Sequence, residues 1–100
     1  MKIDDLKGVT DINRVIKNAI KYFNDPNIKI YVSTQKYKKF MVQRPDGKFV
    51  HFGDNRFIDY TKHLDEQKRT SYLNRAVNIK GFWRDNKYSP NNLAINLLWQ

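Results

Sequence analysis

Apolar and polar positions along this chain change period several times, and each change marks an element. From Thr10 to Asn24, Ile12, Val15, Ile16, Ala19, Ile20 and Phe23 recur at helical spacing, with Lys17, Asn18 and Lys21 on the other side. Thr10 or Asp11 offers a side-chain oxygen to cap the first turn, and Asp25-Pro26-Asn27 ends the helix because proline cannot continue its ladder. Ile28, Ile30 and Val32 then alternate with Lys29, Tyr31 and Ser33, the period of a half-buried strand. After the turn-like Ser33-Thr34-Gln35-Lys36, a second strand is predicted from Tyr37 to Gln43, with Phe40 and Val42 alternating against Lys39, Met41 and Gln43. Across Pro45-Asp46-Gly47 a third runs from Lys48 to Phe52, Val50 and Phe52 on one face, Phe49 and His51 on the other.

Beyond a second turn at Gly53-Asp54-Asn55 the signals weaken. Phe57 to His63 is ambiguous between a short strand and an irregular segment. Leu64 to Ala76 reads as a helix with an acidic start, where Asp65 and Arg69 are spaced to pair across one turn. Its apolar contact, Tyr72, Leu73 and Ala76, is narrow, which puts this helix at the periphery. Asn78 to Tyr88 has no sustained period and reads as a loop with Phe82 and Trp83 as anchors. Ser89-Pro90 then opens a short helix, with Leu93, Ala94, Leu97 and Leu98 on one face. That stripe requires burial against the chain's own core or against a second copy, so Leu93, Leu97, Leu98 and Trp99 form a candidate self-association surface. The sum is one small basic α+β domain over residues 1–100. It has a three-stranded antiparallel sheet with the N-terminal amphipathic helix packed on it, a peripheral second helix and a short C-terminal helix.

Composition changes the picture mainly through charge. Nineteen Lys and Arg against ten Asp and Glu give a formal charge of +9 in 100 residues, which favours polyanions or acidic protein surfaces as partners. The absence of cysteine excludes disulfides, a thiol nucleophile and a cysteine zinc site. The early acids of Met1-Lys2-Ile3-Asp4-Asp5-Leu6 do not fit a secretory signal, and no apolar run has membrane-spanning length, so a soluble protein that is not secreted is expected.

Two constellations bear on chemistry. His51, Asp54, Asp59, His63 and Asp65 are ligand types for a divalent ion or a hydrolytic site, but no metal motif orders them. Carboxylates at turns and helix starts more often accept backbone N–H groups, so a structural role is the stronger reading and no cofactor is expected. Lys36, Lys38, Lys39, Arg44 and Lys48 crowd the second and third strands beside Tyr31, Tyr37 and Phe49. Cations neutralise phosphates and exposed rings stack on unpaired bases. Strand lysines also protect sheet edges from pairing with other chains, and the two readings stand side by side. Lys68, Arg69 and Arg75 add a second cationic group on the later helix, able to grip phosphates or acidic side chains, although a solvated helix face is the stronger reading for them.

The series Gly47-Lys48, His51-Phe52-Gly53, Asp59-Tyr60-Thr61, His63, Asp65, Tyr72-Leu73-Asn74-Arg75 and Leu97-Leu98-Trp99 resembles a small, uncharacterised family of basic proteins encoded by large double-stranded DNA viruses. That family often continues Arg-His where this chain has Arg75-Ala76, so any role for that histidine is missing here. The resemblance implies a viral setting, in the virion or the interior of an infected cell. It also implies a non-enzymatic structural role, as a minor capsid or internal virion protein. Such a protein would meet other virion proteins or packaged DNA through Lys36, Lys38, Lys39, Arg44, Lys48, Lys68, Arg69 and Arg75. A nucleic-acid-binding module acting in viral replication or expression is the alternative.

Overall fold

The computed structural model describes residues 2–100. A single 3-10 turn, Ile3–Leu6, precedes helix α1, Ile12–Phe23. Asp11 caps α1 by accepting from the Arg14 N–H at 3.2 Å, and Asn24 ends it in the left-handed conformation. Val15 and Ala19 are fully buried at the centre of its apolar stripe, while Ile16, at the stripe's edge, stays 40% exposed.

Three antiparallel strands follow in the order β1-β2-β3: β1 Tyr31–Val32, β2 Lys38–Gln43 and β3 Phe49–Asp54. Phe40 pairs with Phe52 and Val42 with Val50, and this row forms the inner face. The pleat extends back to Ile28 and Ile30, half-buried around an exposed Lys29, although the strand itself begins only at Tyr31. Between β2 and β3 the chain turns as the sequence predicts. The Gly47 N–H donates to the Arg44 carbonyl at 2.9 Å, and the Arg44 N–H to that of Lys48 at 2.7 Å.

The segment 57–63, ambiguous in sequence, becomes one helical turn, α2 Tyr60–His63, capped by Asp59. Helix α3, Glu66–Val77, begins at Asp65, whose side chain accepts from the Gln67 and Lys68 N–H groups at 3.0 and 3.1 Å. Asp65 thus caps the helix; the anticipated pairing with Arg69 does not form, and Arg69 instead approaches Glu66 at 3.7 Å. In the loop beyond α3, Trp83 anchors through its indole N–H to the Ile79 carbonyl, but Phe82 is 99% exposed and anchors nothing.

Helix α4, Pro90–Leu93, opens on Ser89, which accepts from the Asn92 N–H at 3.1 Å, and runs on as a π-helical turn over Ala94–Leu98. Leu93, Leu97 and Leu98 lie at 0–1% exposure in a core shared with Val15, Ala19, Phe40, Val42 and Phe52. The chain's own core therefore covers this stripe, and those leucines are not available for self-association. Helix α1 packs mainly along this C-terminal segment, which in turn lies against β3. Gly53 is the close approach point: its φ of +80° favours glycine, and a Cβ there would sit 2.7 Å from Leu98 Cδ1.

Lys39 departs most from the sequence reading. Strand alternation assigns it to the face opposite Phe40, yet its side chain is only 2% exposed. The ammonium donates to Asp59 Oδ2 at 2.8 Å and, at 3.4 Å, to the Val9 carbonyl. Asp59 Oδ1 accepts from the N–H and the hydroxyl of Thr61, whose oxygen also accepts from the Asp11 N–H at 3.0 Å and lies 3.0 Å from the Thr10 hydroxyl. Burial pushes the Lys39 pKa down, against the opposing pull of Asp59.

Removing one member of a buried pair leaves the other charge uncompensated, at about 3–5 kcal/mol. Lys39→Met should therefore destabilise the fold by about that much in denaturant unfolding at neutral pH. Adding Asp59→Asn, which removes the orphaned charge and keeps a cap, should restore a substantial part of the loss. Equal stability of the single and double variants would show that the pair is not what holds this corner.

Candidate functional site

A half-open cleft of about 910 Å³ separates the segment after β3 from α3. Phe57 and Ile58, 65% and 49% exposed, form one lip, and Ala94, Leu98 and the stem of Lys39 lie beneath. The other wall is a single stripe of α3: Lys68, Ser71, Tyr72 and Arg75 follow one another at helical spacing. At the inner end the Trp99 ring stacks on Tyr72, with centroids 4.1 Å apart and planes 7° from parallel.

Two arginines hold that end in place. Arg69 donates through Nε to the Trp99 carbonyl at 2.8 Å and through Nη2 to Gln100 Oε1 at 2.9 Å, with its guanidinium 5.3 Å from the Tyr60 ring centroid. Arg14 donates through Nε to the Gln100 carbonyl at 2.9 Å and lies 5.6 Å from the same ring. The Tyr60 hydroxyl donates to Glu66, tying α2 to the start of α3. His63, also on the cleft, accepts at Nδ1 from the Asp65 N–H at 2.9 Å, so the proton of its neutral ring sits on Nε2. That Nε2 is buried and makes no hydrogen bond among the described residues; its ring meets Trp99 edge-on at 5.4 Å.

Charge is unevenly distributed around this cleft. Arg56 forks onto Asp54 through Nε–H at 3.0 Å and Nη2–H at 2.8 Å, and lies 4.4 Å from the Tyr37 ring centroid. The hydrogen bonds from Arg56 hold the Asp54 carboxyl down at a pKa of about 2. Lys68 and Arg75 are exposed and have no acidic partner among the described residues. Burial pushes the Tyr72 hydroxyl pKa up, while the Arg75 charge opposes that shift.

A second surface is the outer face of the sheet. Tyr31, Met41 and His51 run across it in register, with Gln43 opposite Phe49 beside them, and none of the five is buried. Tyr31 and Phe49, 39% and 42% exposed, meet edge to face at 5.7 Å. The His51 ring is held through Nδ1 by the Ser33 hydroxyl at 2.7 Å.

The structure divides the cations that the sequence grouped. Lys36 and Lys38 stand at one end of β2, Lys36 over Tyr37 at 4.9 Å and Lys38 opposite Asp54. Arg44 and Lys48 flank the β2–β3 turn at the other end, Arg44 paired with Asp46. Lys68 and Arg75 share the cleft. Lys39 is withdrawn into the interior and Arg69 is turned toward Trp99 and Gln100, so neither offers a free charge to a partner. The carboxylates and histidines considered for metal chemistry are engaged separately, and no group of three or more His, Cys, Asp or Glu among the described residues is arranged to hold an ion. Sequence reasoning missed Arg56, Phe57, Ile58, Tyr72 and Trp99 as cleft residues. The spacing of Lys68, Ser71, Tyr72 and Arg75 was a readable sign that these side chains share one face of α3.

A family described as a family of unknown function (DUF5754) matches over residues 28–76, which runs from β1 through α3 and includes the outer wall of the cleft. Neither the curated proteins nor the solved structures contain a match. No helix among the described residues is long and apolar enough to cross a membrane.

The Asp54–Arg56 fork makes a pH-dependent contribution of definite sign. A carboxylate whose folded pKa is depressed stabilises the fold fully above its ordinary value of 3.8, and that contribution is lost as pH falls toward about 2. A carbon-13 titration should find Asp54 still largely ionised at about pH 3. In Arg56→Ala the same carboxyl should be largely protonated there, and an unchanged midpoint would mean that the fork is not the cause.

Proposed function

We propose that this protein is a non-enzymatic nucleic-acid-binding module. Phosphates would meet Lys36, Lys38, Lys48, Lys68 and Arg75, and unpaired bases would stack on the open sheet face. The observation that carries the reading is the Tyr31–Phe49 pair, exposed at the turn end of the outer sheet face in a chain with formal charge +9. Exposed rings favour unstacked bases, because every base has a π face and a duplex hides it. The carboxylates and the histidine at the cleft already have structural partners. Asp59 holds Lys39, Asp54 holds Arg56, and His63 Nδ1 holds the start of α3, so a general acid or base is not the favoured role. In the viral setting that the sequence resemblance implies, the ligand would be packaged or replicating genome, and the module a virion component.

Binding to a labelled single-stranded oligonucleotide, followed by anisotropy, tests this reading. Engagement of about four phosphates should weaken affinity roughly fiftyfold between about 50 and 200 mM salt. Duplex of the same sequence should bind more weakly throughout. Tyr31→Ala with Phe49→Ala should cost about 1–3 kcal/mol per lost stacking contact on the single strand and little on the duplex. Salt-insensitive or absent binding would reject the proposal and move the basic surface to an acidic protein partner.

A further inference from the structure

The cleft carries chemistry that the sheet face does not, and we infer that it is a separate binding site for a nucleoside monophosphate unit. Its volume of about 910 Å³ lies in the range of small-ligand sites, and such sites combine an apolar lining with a few placed polar groups. The lining here supplies both. Phe57 and Ile58 offer an apolar bed for a planar ring, next to the stacked Tyr72–Trp99 pair. The α3 wall also carries two exposed side chains that can read a base edge or a sugar, Gln67 and Ser71.

The anionic half of the ligand follows from charge complementarity. Lys68 and Arg75 stand about 10.5 Å apart along α3, at seven residues of helical rise, with Tyr72 between them. Neither has an acidic partner among the described residues, whereas Arg56 on the opposite lip is already neutralised by Asp54. Long cationic side chains on either side of an aromatic suit a phosphate attached to a ring, and a purely apolar ligand would leave them unused. His63 borders the cleft too, but its Nε2 is buried and its ring packs edge-on against Trp99, so it serves the aromatic end of the site rather than a ligand directly.

The site is rigid where it matters. Arg69 and Arg14 fix the backbone at Trp99 and Gln100, so the aromatic end is preformed rather than assembled by the ligand. The inference does not depend on the ring pair of the sheet face, since neither Tyr31 nor Phe49 lines the cleft, although Lys68 and Arg75 enter both readings.

Trp99 reports on the cleft directly once Trp83, the second of two tryptophans, is replaced. In a Trp83→Phe background, titration with adenosine monophosphate should give saturable quenching of Trp99. Adenosine and inorganic phosphate, each carrying half the ligand, should bind at least about tenfold more weakly. Lys68→Ala and Arg75→Ala, both exposed and harmless to the core, should each weaken the nucleotide by about three- to tenfold. Tyr31→Ala with Phe49→Ala should leave it unchanged, which separates this site from the sheet surface. A short unstructured oligonucleotide binding tighter than the free nucleotide would assign the site to a strand residue, and the reverse order to a free nucleotide. Three results would overturn the inference: no saturable quenching, phosphate alone equalling the nucleotide, or a glutamate-rich peptide binding the cleft as tightly.

Discussion

The buried contact between Lys39 and Asp59 is the constraint around which the other parts are arranged. An ammonium and a carboxylate withdrawn from water are tolerable only when each is paired and its remaining hydrogen-bonding capacity is satisfied. Here Asp59 satisfies Lys39, the cap of α2 and the Thr61 hydroxyl together, and Thr61 reaches on to Thr10 and Asp11. One small network thus joins β2, the turn before α1 and the start of α2. Its directionality fixes how these pieces meet, which apolar packing alone would leave loose.

The cleft exists because of that junction. The segment 55–59 must leave β3 and return to the interior at Asp59, so Phe57 and Ile58 are carried past the core and left exposed as a lip. Helix α3 then starts a few residues later, tethered by the Asp65 cap and by Tyr60 to Glu66. Its far wall is closed by Trp99, which Arg69 holds from behind. Arginine suits this task because its planar fork can take two acceptors while lying over a ring. Three of the chain's cations, Lys39, Arg14 and Arg69, therefore serve the architecture, and only the remainder face outward.

Much of this was legible in the sequence, and the parts that were not share a physical reason. The alternation of Phe40, Val42, Val50 and Phe52, the stripe of α1 and the Ser89-Pro90 start depend on neighbours within a few residues, and each appears where the pattern places it. Lys39 could not be read, since a two-residue period assigns a face without knowing what covers it, and its partner lies twenty residues away. Asp65 had two local uses, cap and ion pair, and the backbone N–H groups won because two of them converge on one oxygen. The leucines of the last helix were visible as a buried stripe, but not which body would bury them. The cleft is assembled from segments near 57, 72 and 98, a juxtaposition to which no local period refers.

The position of those leucines has a consequence for how the chain reaches its fold. Asn18 bonds to the carbonyls of Leu97 and Gln100, at separations of 79 and 82 residues, and Leu98 fills the space that Gly53 leaves open. During synthesis the apolar face of α1 emerges first and has no permanent cover until residues 93–98 arrive. The hairpin of β2 and β3 can form early, since its contacts are local. The core, however, closes last and from its far end, so an incomplete chain exposes an unfinished apolar surface rather than a smaller folded body.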